Sequence, residues 1–284
     1  MSLQALHAAM KLQPLTNSLP LFAVKRRMKR LLFAFAPFAL VTLAVVGVRA
    51  AQEQIEHFSR TLTVERGGTL RLKSFSGRVN ITATDANEVV IEAVRRASRE
   101  RLDHISLEVR RDGSTVSIDA NHRDSIWWQA RDNVVETDFD IKVPRRTDLD
   151  LSVFSAPVTV EGVEGTCHVH AFSSRIRLGD TEGPVKVHTF SGAIDIEAKG
   201  WVDGQDVDID TFSGNVTMRV PDAARGLITF NSFSGQLHSD LPLVLRRSHG
   251  RSLTGELGTQ GTGGGALRFK TFSGGVRITQ GVNR

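Results

Sequence analysis

Two histidines and an aspartate occupy the same place in successive copies of a repeat. His170 and His188 lie 18 residues apart and Asp210 lies 22 further on, each two positions before a phenylalanine. Two imidazoles and a carboxylate form a donor set suited to a divalent ion, so His170, His188 and Asp210 are the candidate metal site. Neighbours in a straight ladder converge poorly on one ion, and outward positions of stacked coils are commonly just solvated. The preferred reading is polar surface, and no metal or other cofactor is expected. Asp206, Asp208 and Asp210 alternate along one strand face and are the acidic candidate for calcium or for polysaccharide chemistry. They lack the glycine-containing loop pattern of a calcium site. The run Gly258–Gly265 lacks the Lys-Ser/Thr ending of a phosphate loop and reads as a turn. No Ser-His-Asp or Cys-His set can be singled out, so no catalytic residue is assigned.

The phenylalanines belong to a phrase that returns along the chain: Ser74-Phe75-Ser76-Gly77, Thr189-Phe190-Ser191-Gly192, Thr211-Phe212-Ser213-Gly214, Ser232-Phe233-Ser234-Gly235 and Thr271-Phe272-Ser273-Gly274. Val153-Phe154-Ser155-Ala156 and Ala171-Phe172-Ser173-Ser174 are copies without the glycine. Strict alternation sends the rings outward as a stripe suited to stacking on sugars or docking a partner. A chain that already bends at Phe turns them into the core, and that reading is preferred.

The flanks explain what positions the phrase. Five and three residues before each Phe every residue is apolar, as in Val185 and Val187, with mostly polar residues between. Four and six residues after it the alternation resumes, as in Ile194 and Ile196. Each copy is therefore two half-buried strands joined by a bend at the glycine. Two strands per coil and a period near twenty predict an all-β, parallel β-solenoid, with an antiparallel β-sandwich as the alternative. Cys167 falls in an apolar column, and a single thiol has no internal disulfide partner.

The period breaks twice. Residues 82–148 read as an irregular antiparallel part that includes a β-hairpin about Asp112-Gly113 and a loop over 121–135 with Trp127-Trp128. Regular coils follow over 149–239, a loop insertion over 240–266 and a last coil over 267–284, making 51–284 a single domain.

The leader carries the charge. Seven of the 36 basic residues lie within residues 1–50, which contain no acid, so the remaining 29 face 31 acidic residues. The body therefore has no footprint for nucleic acid. Lys25–Arg30 precedes the uncharged run Leu31–Val48 and then Val48-Arg49-Ala50. Residues 28–50 read as a signal peptide cleaved near Ala50, or else as a retained membrane anchor. Residues 1–27 read as an unstructured or misassigned extension. Membrane contact is expected only through an uncleaved helix over 31–48.

The repeated Thr/Ser-x-Ser-Gly-x-apolar-x-apolar pattern resembles the bacterial putative-adhesin family of unknown function. So does the Gly-rich run before Thr271-Phe272-Ser273-Gly274-Gly275-Val276-Arg277-Ile278. The likeness covers about residues 60–280. It implies an exported or envelope β-solenoid without a catalytic signature. The expected function is a non-enzymatic, adhesin-like binding or structural module in the periplasm or at the cell surface, with an envelope protein or glycan as partner. The alternatives are a polysaccharide-acting β-helix enzyme using Asp206, Asp208 or Asp210, and an accessory to envelope-stress signalling.

Overall fold

The computed structural model describes residues 53–64, 67–123, 134–201, 204–258 and 264–281. The leader and Trp127-Trp128 lie outside these residues. Among the described residues no helix is long and apolar enough to cross a membrane.

The alternating columns make two large sheets. Each coil places its first strand in one sheet, here called B, and its second in the other, A. The pairs are β2 (Thr69–Ser76) and β3 (Val79–Thr84), β8 (Asp148–Ser155) and β9 (Val158–Glu161), β10 (Cys167–Ser173) and β11 (Ile176–Thr181), β12 (Val185–Ser191) and β13 (Ile194–Ala198), and β14 (Val207–Ser213) and β15 (Val216–Val220). Neighbouring coils pair in parallel and in register: Cys167 lies between Leu149 and Val185, and Ile176 between Val158 and Ile194. The inward columns are fully buried and form one core joining both sheets. Each inward Val, Ile or Leu contributes about 1.5–3 kcal/mol by leaving water. Cys167 is one such rung, and its burial pushes the thiol up to about 12. The chain is all-β with large parallel sheets, solenoid-like in the run of its coils.

Three features depart from the expected layout. The last coil, β20 (Gly265–Ser273) and β21 (Val276–Gln280), does not end the stack. It lies between the β14/β15 coil and the coil formed by β16 (Gly226–Ser232) and β17 (Leu237–Ser239). Contacts 60 residues apart seat it there. Asp206 Oδ1 accepts the Ala266 amide at 2.9 Å, Asn215 Oδ1 accepts the Gly275 amide at 3.0 Å, and Lys270 Nζ donates to Asp210 Oδ2 at 2.9 Å.

Within 82–148 the antiparallel pairings are present: β4 (Glu88–Ser98) joins β1 (Glu53–Thr63) to β7 (Glu136–Pro144), and β5 (Ile105–Asp112) makes the hairpin with β6 (Thr115–Arg123). A short helix, α1 (Arg99–His104), links β4 to β5. Yet β6 pairs in parallel with β2, and β7 with β3, so these two strands are a further coil without the Phe-Ser-Gly corner. Its connection falls largely in residues 124–133, outside the described set. The expected loop over 240–266 contains a second hairpin, β18 (Leu243–His249) and β19 (Ser252–Leu257), which extends sheet B beyond β16. Of the run Gly258–Gly265, residues 259–263 lie outside the described residues, and Gly265 already opens β20.

The corner has a physical account. The Ser or Thr before Phe turns inward and its hydroxyl bonds the corner backbone: Thr189 Oγ1 donates to the Ser191 carbonyl at 3.0 Å and Thr271 Oγ1 to the Gly274 carbonyl at 3.1 Å. Thr211 is the exception, its buried hydroxyl having no partner. Gly192 has φ +126°, and a side chain there would collide with the Ser174 carbonyl of the coil beneath. The glycine serves this close approach between coils as much as the bend. In the two copies without it, Ser174 Oγ accepts the Ala156 amide at 3.2 Å in place of the usual lock.

Candidate functional site

The outer face of sheet B carries three columns of side chains. Alternation continues through the phenylalanines, because the bend comes after them at the glycine. The seven rings are therefore exposed, between 38% for Phe75 and 49% for Phe233, which overturns the preferred core reading. They form one unbroken stack in spatial order Phe75, Phe154, Phe172, Phe190, Phe212, Phe272, Phe233, with centroids 4.5–5.1 Å apart and planes 2–13° from parallel. Six inter-strand steps of about 4.8 Å make an apolar stripe roughly 30 Å long.

The stacking has a consequence for chemistry. Ring faces are occupied by one another, so solvent meets only ring edges. At one end the free face of Phe233 is covered by the Arg251 guanidinium, 3.6 Å from its centroid. The expected use of the stripe for sugar stacking, which needs an open ring face, is therefore not available along its length.

Beside the ladder runs the column two residues earlier on each strand, and between them lies a groove of about 910 Å³. Ser74, Val153, Ala171, Thr189, Thr211 and Thr271 lie between these two walls in sequence and line it too. The polar wall reads Asp119, Lys73, Ser152, His170, His188, Asp210 and Lys270 from one end of the groove to the other. His170 and His188 stack at 5.2 Å with planes 13° apart. Burial, and then repulsion from His170, lowers the pKa of His188 below 6.5. Asp210 is turned to Lys270 rather than to the imidazoles. The three candidate ligands are thus ladder neighbours that do not converge, and among the described residues no group of three His, Cys, Asp or Glu is placed to hold a metal ion. Asp206 and Asp210 hold the neighbouring coil through Ala266 and Lys270, so the acidic strand does structural work at both ends.

Sequence columns located the Phe ladder and the histidine pair. Asp119 and Asn121 were missed as members of the groove because β6 lacks the Phe-Ser-Gly phrase. The alternation Val116-Ser117-Ile118-Asp119-Ala120 was the available signal, since it repeats the strand pattern of the other coils.

Fold and groove together define a parallel, two-sheet coiled β protein with an aromatic-walled surface groove. Residues 140–279 match the Toastrack DUF4097 family model. The match agrees with the adhesin-family resemblance carried by the repeats. Three solved structures are similar over most of their length. A putative cell adhesion protein from Clostridium sporogenes is 11% identical, covering 80% of this chain and 100% of that one, with a TM-score of 0.45. A putative adhesin from Bacteroides fragilis is 8% identical over 79% and 97%, with a TM-score of 0.31. A putative lipid binding protein from Parabacteroides distasonis is 8% identical over 79% and 96%, with a TM-score of 0.22. No curated protein matches the sequence.

Proposed function

We propose that this chain is a non-catalytic, adhesin-like binding module of the bacterial cell envelope that engages a protein partner through the outer face of sheet B. The observation that carries the reading is the exposed ladder from Phe75 to Phe233 beside a polar wall. A contiguous apolar stripe of this length on a folded domain marks an interaction surface. A protein partner is favoured over a glycan because apolar side chains pack against ring edges, whereas sugar rings lie on ring faces. The charged column supplies the polar rim that interfaces carry around an apolar strip. Export to the periplasm or cell surface belongs to the same reading and rests on the basic and apolar leader.

The test uses the full chain as bait against native envelopes, with Phe172→Glu as its matched control. The expected result is an envelope protein retained by the native chain and released by the variant. Equal retention by both would remove the ladder from the function. Turnover of envelope polysaccharide, lost on Asp208→Asn, would replace the binding reading with the enzymatic one.

A further inference from the structure

The surface charges of sheet B are ordered, and the order names an occupant for the face. Along the polar wall the sequence of charge is Asp119 (−), Lys73 (+), Ser152, His170, His188, Asp210 (−), Lys270 (+). In the next outward column it is Arg71 (+), Asp150 (−), His168, Lys186 (+), Asp208 (−), Arg268 (+). All these side chains lie at the surface, exposed or half-exposed.

Consider two copies laid sheet B to sheet B about a two-fold axis parallel to the strands. Each column then faces its own counterpart, with the order of coils reversed. If the axis lies along β10, Lys73 meets Asp210, Asp119 meets Lys270, Arg71 meets Asp208 and Asp150 meets Lys186, each pair occurring twice. Phe154 meets Phe190, Phe75 meets Phe212, and Phe172 meets itself. Moving the axis half a step toward β12 sets Lys73 against Lys270, Arg71 against Arg268 and Asp150 against Asp208. A full step, onto β12, sets Lys186 against itself, and half a step toward β8 sets Asp119 against Asp210. One register brings opposite charges together throughout, and the adjacent registers do not. Like charges facing one another across an interface are what excludes a register.

We propose that the outer face of sheet B docks on a second copy of this chain, ladder on ladder in reversed coil order, with β10 on the two-fold axis. This rests on the reading of that face as a docking surface and names its partner. Seven facing strands and three columns cover roughly 600 Å² per copy, the lower end of stable interfaces. The association is therefore weak, with a Kd on the order of micromolar. The in-chain pairs of Arg71 with Asp150 and Lys270 with Asp210 stay within reach and become corners of small charge networks.

Sedimentation of the full chain in mild detergent across the micromolar range reads the association. Lys73→Glu alone and Asp210→Lys alone are each expected to weaken it about tenfold, and an equimolar mixture of the two variants to recover it. A short bismaleimide is expected to join two copies of Phe172→Cys and not of Phe75→Cys, since the native Cys167 is buried and does not compete. A chain that stays monomeric, a dimer indifferent to both charge reversals, or linkage through position 75 overturns the proposal. If the chain is monomeric while Phe172→Glu still releases an envelope protein, self-docking is wrong and the binding face stands. If Phe172→Glu alters neither, both fall.

Discussion

Phe172 and Phe190 stack face to face at 5.1 Å with their planes 6° apart, although neither ring is buried. Parallel in-register pairing sets that distance: a residue repeated at one strand position recurs at the inter-strand spacing of about 4.8 Å, which falls within the centroid range of offset-stacked rings. Each interior ring therefore covers two neighbours and is covered by two. Phe190→Ala is expected to destabilise the fold by about 1–2 kcal/mol, and Phe75→Ala, at the end of the stack, by about half as much. Urea denaturation of the two variants measures the difference, and equal costs would mean that the stack contributes nothing beyond area.

Gly192 and Gly200 separate two roles of glycine. Gly192 combines φ +126° with direct approach to the Ser174 carbonyl, whereas a side chain at Gly200 meets open space. Gly192→Ala is expected to cost about 3 kcal/mol or more, because strain and collision act together. Gly200→Ala is expected to stay within about 0.5 kcal/mol of the native chain. Thermal denaturation of the pair distinguishes them, and a tolerated Gly192→Ala would mean that the coils can move apart at the corner.

His188 titrates against its surroundings. Its pKa is lowered first by burial and then by His170, so the folded state resists the proton that the unfolded chain accepts near 6.5. The stability this confers is present above that value and is lost as pH falls through the folded pKa. NMR titration of the ring is expected to give a midpoint below 6.5. His170→Ala is expected to bring it part of the way back, burial remaining. A midpoint unmoved by His170→Ala would mean that the stacked pair is electrostatically silent.

The core was legible because two periods coincide in it. Alternation fixes which face each residue takes, and the repeat fixes which residues share a row, so Val169, Val187 and Ile209 could be placed from sequence alone. The order of the coils was not legible. Every coil presents the same columns and can stack on any other, and only single contacts such as Asp206 with Ala266 choose the neighbour. Nor could the direction of Phe190 be read, since it depends on whether the bend falls at Phe or two residues later. The coil of β6 and β7 was hidden by the long connection that replaces its corner.

Cys167 provides a pH signature of the interior. Its neighbours on both sides are apolar rungs, Leu149 and Val185, and burial raises the thiol from about 9.0 to about 12. The folded chain thus holds the proton more tightly than the unfolded chain does. The corresponding stability is complete below the unfolded value and falls away as pH rises between about 9 and 12. The contribution is read as the difference between the native chain and Cys167→Val. That variant keeps the apolar rung and removes the thiol. The native chain is expected to lose stability with pH more steeply than Cys167→Val over this window, by up to about one proton's worth of slope. In the folded state the thiol is expected to be inert to a thiol-specific dye at neutral pH and to react on unfolding. Prompt labelling of the native chain, or identical pH profiles for the two proteins, would place Cys167 outside the core.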